Sequence, residues 1–143
     1  MNELLNNYLA DLVVEYHKLQ NFHWYVKGKN FFTIHAKLEE LYDGINEAID
    51  EVAENILING GRPLANIKAF LAAAKIKEAK EEYIGDDVVF KAVLEDFEYL
   101  LSSAVAIKKL ADQEENFGIS SLMDNYIQQF GKNIWMIKQM SAA

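Results

Sequence analysis

The sequence predicts an all-α fold: a four-helix bundle with a short extra helix in the connection between the second and third long helices. Three observations carry this. Apolar residues recur every three or four positions through four long segments. Hydrophobic residues make up 51% of the 143 positions and only one proline interrupts them. The breaks are strong ones, at Gly28 and at Gly60-Gly61-Arg62-Pro63, and the connection after the second is long.

The first helix is predicted from about Asn2 to Lys27. Leu5, Tyr8, Leu9, Leu12, Val13, Tyr16 and Leu19 form its apolar stripe. Gly28 stops it, because glycine accepts the left-handed conformation just past a helix end. The second helix runs from near Phe31 to about Asn59, with Ile34, Leu38, Leu41, Ile45, Ala48 and Val52 as its core stripe. A short helix is expected over about Asn66 to Ala74. Lys75 to Gly85 is charged and reads as an exposed linker. The third helix is predicted from about Asp87 to Glu114, its acidic start matching the helix dipole. After a break at Glu115 to Ile119, Ser121 and Asp124 have the spacing of a capping box. They start a fourth helix that runs to about Met140.

Length and composition bound the function. Residues 1–143 are expected to form one domain with a real core. Fourteen basic against 22 acidic residues leave a net charge of −8. Such a surface repels nucleic acid and anionic lipid and attracts cations. With no cysteine there is no disulfide, thiolate metal site or cysteine nucleophile. The longest apolar run, Ala69 to Ala74, is far too short to span a membrane. The N-terminus lacks the basic start and apolar block of a signal peptide. A soluble cytoplasmic protein is expected.

The chemistry lies between Asn21 and Asn59. This stretch holds His23 and His35, and then Glu39, Glu40, Asp43, Glu47, Asp50, Glu51 and Glu54. On a helical wheel, His35, Glu39, Asp50 and Glu54 fall within an arc of about 100°, opposite the core stripe. For a single acid on such an arc, a solvated surface is the ordinary reading. Two features favour more. Glu39 and Asp50 lie about 16 Å apart along the helix, too far to share an ion within one chain. The pairs Glu39/Asp50 and His35/Glu54 also share one midpoint, between Gly44 and Ile45. Two antiparallel copies crossing there would set Glu39 against Asp50 and His35 against Glu54, giving two identical clusters. Carboxylate with imidazole suits iron or another first-row divalent ion. A cation would also offset the repulsion of so many acids at an interface. His23, at the end of the first helix, folds back near His35. His17 reads as an ordinary structural, hydrogen-bonding histidine. Trp24 packs or, beside a redox metal, takes up oxidising equivalents.

These residues resemble a known family. Asn21-Phe22-His23-Trp24-Tyr25-Val26-Lys27-Gly28, then Phe32, His35, Tyr42 and Asp50-Glu51-Val52-Ala53-Glu54, are similar to the DNA-protection-during-starvation (Dps) proteins, or mini-ferritins. The resemblance spans the whole chain, including Ile134-Trp135-Met136. It implies a ferritin-like bundle assembled into a hollow homododecamer. It implies ferroxidase activity that oxidises Fe2+ to Fe3+, preferably with hydrogen peroxide rather than oxygen, and stores ferric mineral inside. By position, the implied di-iron ligands are His23, His35 and Glu39 from one chain and Asp50 and Glu54 from its two-fold mate. The chain departs from the family pattern at Glu39, where aspartate is usual, and at Asn55, where arginine is common. Of the acids that usually line the iron inlet, Asp112 matches, whereas Phe117 and Ser121 replace later ones. Asp112, Glu114, Glu115 and Asp124 are the candidate inlet.

Other functions compete. A di-iron site inside the bundle core requires Glu-x-x-His pairs, but Val14, Gln20 and Phe32 stand three residues before the histidines. A nucleoid-binding protein with little catalysis is the main alternative. Against it, the chain is acidic and its first seventeen residues carry no Lys or Arg. A helical scaffold with merely solubilising acids is the third.

Overall fold

A computed structural model describes residues 1–141. Its elements in chain order are α1 (Asn2–Tyr25), β1 (Val26–Lys27), α2 (Phe31–Ile58), α3 (Ile67–Ala73), β2 (Ile84–Gly85), α4 (Asp86–Gln113) and α5 (Phe117–Ser141). The predicted four-helix bundle with an extra short helix is therefore what the chain forms. α1 and α2 run antiparallel, since Asn2 bonds Asn59 at one end and His23 bonds His35 at the other. α4 and α5 pair likewise, through Phe97 against Phe130 and Lys108 against Ser120. Tyr8 stacks on Tyr126 and joins the two pairs.

The predicted core stripe of α2 is buried throughout, and Ile56 extends it by one turn. Helix α1 buries more than its predicted stripe. Ala10, Asp11, Val14 and Glu15 are also enclosed, because α2, α3 and α4 all pack on it. Tyr16 is only half-buried.

Three sequence expectations are corrected. The first helix ends at Tyr25, before Lys27. Val26 takes an extended conformation, and Val26 and Lys27 pair in parallel with Ile84 and Gly85. The stretch from Lys75 to Gly85 is not a free linker. The Asp11 carboxylate accepts the backbone N–H groups of Lys75 and Ile76, at 2.7 and 2.9 Å, and Ile76 is buried. The last helix starts at Phe117 rather than Ser121. Asn116 caps it, its Oδ1 accepting the Ile119 N–H at 3.4 Å. Asp124 bonds Lys108 instead of capping.

Helices α2 and α4 end in the same way. Gly61 N–H reaches Ile56 O and Gly60 N–H reaches Leu57 O, with Gly60 at φ +78°. This pattern closes the last carbonyls of a helix around a left-handed residue. After α4, Asn116 N–H reaches Ala111 O and Glu115 N–H reaches Asp112 O. The left-handed position there is Glu115, at φ +57°. A side chain at such an angle crowds its own backbone. Replacing Glu115 with glycine should stabilise the fold by about 0.5–1 kcal/mol, read as a higher denaturant midpoint with unchanged slope.

Glu15 is fully buried and neither of its oxygens meets an N–H or hydroxyl donor. The Asp96 carboxyl of α4 faces it, and Lys18 Nζ lies 2.8 Å from Asp96 Oδ2. One ammonium cannot balance two carboxylates, and the buried Glu15 is the one that holds its proton. Burial pushes the Glu15 carboxyl well above its usual value, and the bond to Asp96 and repulsion from Asp96 and Asp11 add to this, against the pull of Lys18. The folded chain thus holds a proton that the unfolded chain has released above its ordinary value of 4.5. Stability is then full below that value and falls as pH rises towards the folded pKa. Glu15→Gln keeps the shape and supplies an amide donor. Thermal midpoints from about pH 5 to about pH 9 should fall less steeply with pH for this variant than for the natural chain.

Candidate metal centre

The site begins with a turn. Gly28, at φ +153°, reverses the chain between α1 and α2, and a Cβ there would meet Asp86 Oδ2 at 3.1 Å. The reversal sets the last turn of α1 against the first turns of α2. His23 and His35 meet there with rings parallel, their centroids 3.6 Å apart and the planes 13° apart.

Each ring is tied to the other helix. His23 Nδ1 lies 2.6 Å from the His35 carbonyl oxygen, and His35 Nδ1 lies 2.7 Å from the His23 carbonyl oxygen. A carbonyl only accepts, so both Nδ1 atoms carry a proton and donate. The lone pair of each neutral ring is then on Nε2, where it is free to bind a metal. The His23 carbonyl belongs to the last turn of α1, where intrahelical donors run out. Phe31 stacks on His35, and the edge of Tyr42 meets the His23 ring. These contacts leave His23 only 6% exposed.

Glu39 stands one turn beyond His35. Its Oε1 is 3.9 Å from His23 Nε2 and accepts the Tyr42 hydroxyl at 3.3 Å. The carboxylate is more than half exposed. His23, His35 and Glu39 therefore lie near one another at the α1–α2 junction.

Asp50 and Glu54 do not join them. They are exposed on the same helix, about three turns further on. A side-chain hydrogen bond to Asp50, and then its charge, raise the Glu54 carboxyl above its usual value. Two carboxylates held this close together attract a cation. Among the described residues of one chain, no three imidazole or carboxylate groups converge tightly enough to hold a metal ion. The donor set nonetheless fits iron in kind: neutral imidazole nitrogen and carboxylate oxygen, in two separate half-sets on one face. Trp24 is 63% exposed beside this face.

The acids of the candidate inlet lie where α4 turns into α5. Lys108 Nζ is 3.1 Å from Asp124 and 3.7 Å from Asp112, and it donates to Ser120 at 2.8 Å. Ser120 in turn donates to Asp112. Glu114 and Glu115 are exposed at the turn. Sequence reasoning missed Lys108, although its spacing of four from Asp112 was a visible signal. It also missed the Tyr42–Glu39 bond, again a one-turn spacing, and the Glu15–Asp96 pair, which no local spacing announces.

Fold and site define a ferritin-like helical protein with carboxylate and imidazole groups on the outer face of its second helix. The ferritin-like domain family matches residues 2–142. More narrowly, the chain belongs to the DNA-protection-during-starvation, or Dps, family. It is 38% identical over 136 residues to DNA protection during starvation protein 2 of Bacillus anthracis, covering 95% of this chain and 92% of that one. The Dps protein of Vibrio cholerae O1, described as one of a broad superfamily of ferritin-like diiron-carboxylate proteins, superposes with a TM-score of 0.95 at 35% identity. That match covers 99% of this chain and 88% of the other. Antigen TpF1 of Treponema pallidum superposes at 0.98 with 33% identity, covering 99% and 91%.

Proposed function

We propose that this chain stores and detoxifies iron. It oxidises Fe2+ to Fe3+, preferably with hydrogen peroxide, at di-iron centres shared between subunits, and deposits ferric mineral inside a hollow homododecamer. The observation that carries this reading is the split donor set. His23, His35 and Glu39 form one half, with both Nδ1 atoms tied and Nε2 left for metal. Asp50 and Glu54 form the other half on the same face, too distant to join within the chain. A two-fold mate crossing between Gly44 and Ile45 would complete both halves at once.

Gly44 supports that crossing. A glycine inside a helix costs about 1 kcal/mol relative to alanine. Space is open around it, with nothing within 4 Å of where a Cβ would stand. Its cost is offset if another backbone approaches there. Two ferrous ions side by side also supply both electrons that peroxide needs to become water, so no hydroxyl radical is released. This is the protective part of the function.

Iron reaches the interior by an acidic inlet built from Asp112, Glu114, Glu115 and Asp124, with Lys108 neutralising part of its charge. Negative charge around a narrow opening concentrates cations. DNA is not a partner in this reading, since the chain carries −8. No helix among the described residues is long and apolar enough to cross a membrane.

The split site makes a direct prediction. His23→Ala/His35→Ala shells should be nearly inactive in ferrous oxidation, and so should Asp50→Ala/Glu54→Ala shells. Co-assembled at random, the two chains form about half mixed dimers, each with one intact centre, so about a quarter of the natural activity should return. Shells assembled separately and then mixed should stay inactive. No recovery in verified mixed shells would mean that the centre lies within one chain. For DNA, gel retardation at about 150 mM salt and neutral pH, without divalent metal, should show no shifted band.

A further inference from the structure

We propose that Asn59 is a self-modifying site, converted to aspartate and isoaspartate by attack of the Gly60 nitrogen, and that Asn2 and Asn116 hold the reaction off. Asn59-Gly60 is the only asparagine–glycine step in the chain. Glycine brings no side chain to shield its nitrogen, so this step closes on itself more readily than other asparagine steps. It lies at the end of α2, where three parts of the fold meet. Asn116 Nδ2, from the α4–α5 turn, donates to Asn59 Oδ1 at 2.9 Å. Asn59 Nδ2 donates to Asn2 Oδ1, at the start of α1, also at 2.9 Å. Asn2 Nδ2 turns back to the Asn59 carbonyl oxygen at 3.5 Å. Asn116 Oδ1 accepts the Ile119 N–H, which fixes the orientation of the first amide, and each amide then fixes the next. The backbone is held as well. Gly60 N–H donates to Leu57 O at 3.0 Å, and Asn59 stands at φ −83° and ψ 12°. At that ψ the Gly60 nitrogen lies on the side of Asn59's own nitrogen, turned away from Cβ and hence from Cγ.

The reaction needs water and its hydroxide, and nothing else. The Gly60 N–H gives its proton to hydroxide, the nitrogen bonds to Asn59 Cγ, and the Cγ–Nδ2 bond breaks. Nδ2 takes a proton from water and leaves as ammonia, which restores the hydroxide. Water then opens the five-membered imide at either carbonyl, to aspartate or to isoaspartate. Closing that ring requires the bond to Leu57 to open, the Asn59 Cα–C bond to rotate, and the Asn59 amide to leave both asparagine partners. None of this happens until the start of α1 or the α4–α5 turn detaches from the end of α2. The conversion is one-way. Its product has an oxygen where Nδ2 was, which cannot donate to Asn2, and a negative charge at the C-terminal end of a helix, where the dipole disfavours it. Isoaspartate also adds a backbone atom just before Gly60, whose left-handed turn closes α2. A transient opening is thus written into the chain as a loosened end of the bundle.

Ageing the full-length protein tests this. The natural chain, Asn2→Ala and Asn116→Asp are incubated folded at neutral pH, well below their thermal midpoints, beside the natural chain in denaturant. Peptide mass spectrometry reads the converted fraction at Asn59, with the other asparagines as internal controls. Asn116→Asp keeps the cap on α5, because aspartate caps a helix as well as asparagine does, but it cannot donate to Asn59. In the denatured chain Asn59 should convert several-fold faster than any other asparagine, and in the folded natural chain many times more slowly than that. Both variants should raise the folded rate at Asn59 several-fold and leave the other asparagines as slow as before. Asn59→Asp, which stands for the product, should speed amide hydrogen exchange at the start of α1. Equal rates in the natural and variant chains would overturn the proposal, and so would a folded natural chain that converts as fast as the denatured one. Faster conversion of every asparagine in the variants would also overturn it, since global unfolding would then admit the reaction. Iron plays no part, so the outcome is independent of the ferroxidase reading.

Discussion

Everything in this protein takes its register from α1, because that helix is buried on more than one face. A helix that covers a core with a single stripe leaves its far side to water. Here Leu5, Leu9, Leu12 and Leu19 are sealed by the bundle, and Asp11 and Glu15 are enclosed as well. The polar groups trapped on this helix must find partners, and the partners they find place the other elements. Asp11 holds the start of the stretch after α3, Glu15 faces Asp96 on α4, and His23 exchanges hydrogen bonds with α2. Asp11 and His23 are buried polar groups satisfied across an element boundary, which is costly to break and specific in register.

The geometry of α2 then decides what kind of site is possible. One helix of 28 residues, Phe31–Ile58, carries His35 and Glu39 near its start and Asp50 and Glu54 near its end. Such a helix cannot close a metal centre on itself. It carries two separate groups of donor side chains, about three turns apart. The first is rigid, since both imidazoles are stacked and bonded through Nδ1. The second is two exposed carboxylates, with a hydrogen bond to Asp50 raising the Glu54 carboxyl above its usual value.

The bundle fold also separates two kinds of acid. Those on the outer face of α2 are exposed to solvent. Glu15 is excluded from water and keeps its proton, with Asp96 and Lys18 closing the charge balance. The acids at the α4–α5 turn lie between these cases, because Lys108 binds Asp112 and Asp124 at the same time. The same residue types thus do three jobs, set by burial and by the nearest cation.

The sequence by itself determined the four long helices, the short one between them, the stripe that α2 buries, and the face that carries His35, Glu39, Asp50 and Glu54. All of these follow from a period of 3.6 residues and from the glycines that break it, and both are local properties. His23 was legible because a short turn leaves few places for the end of α1 to go. Tertiary structure alone decided the rest. The pairing of Val26–Lys27 with Ile84–Gly85, the anchoring of Ile76 by Asp11, and the meeting of Glu15 with Asp96 join residues more than fifty positions apart. No spacing rule reaches that far. The start of α5 was misplaced for a related reason: Ser121 and Asp124 have the spacing of a cap, but Lys108 on the neighbouring helix takes Asp124, and Asn116 caps instead. Periodicity reports which face of a helix is apolar. Only the packed bundle reports what lies opposite the polar groups, and that is what decides their charge and their partners.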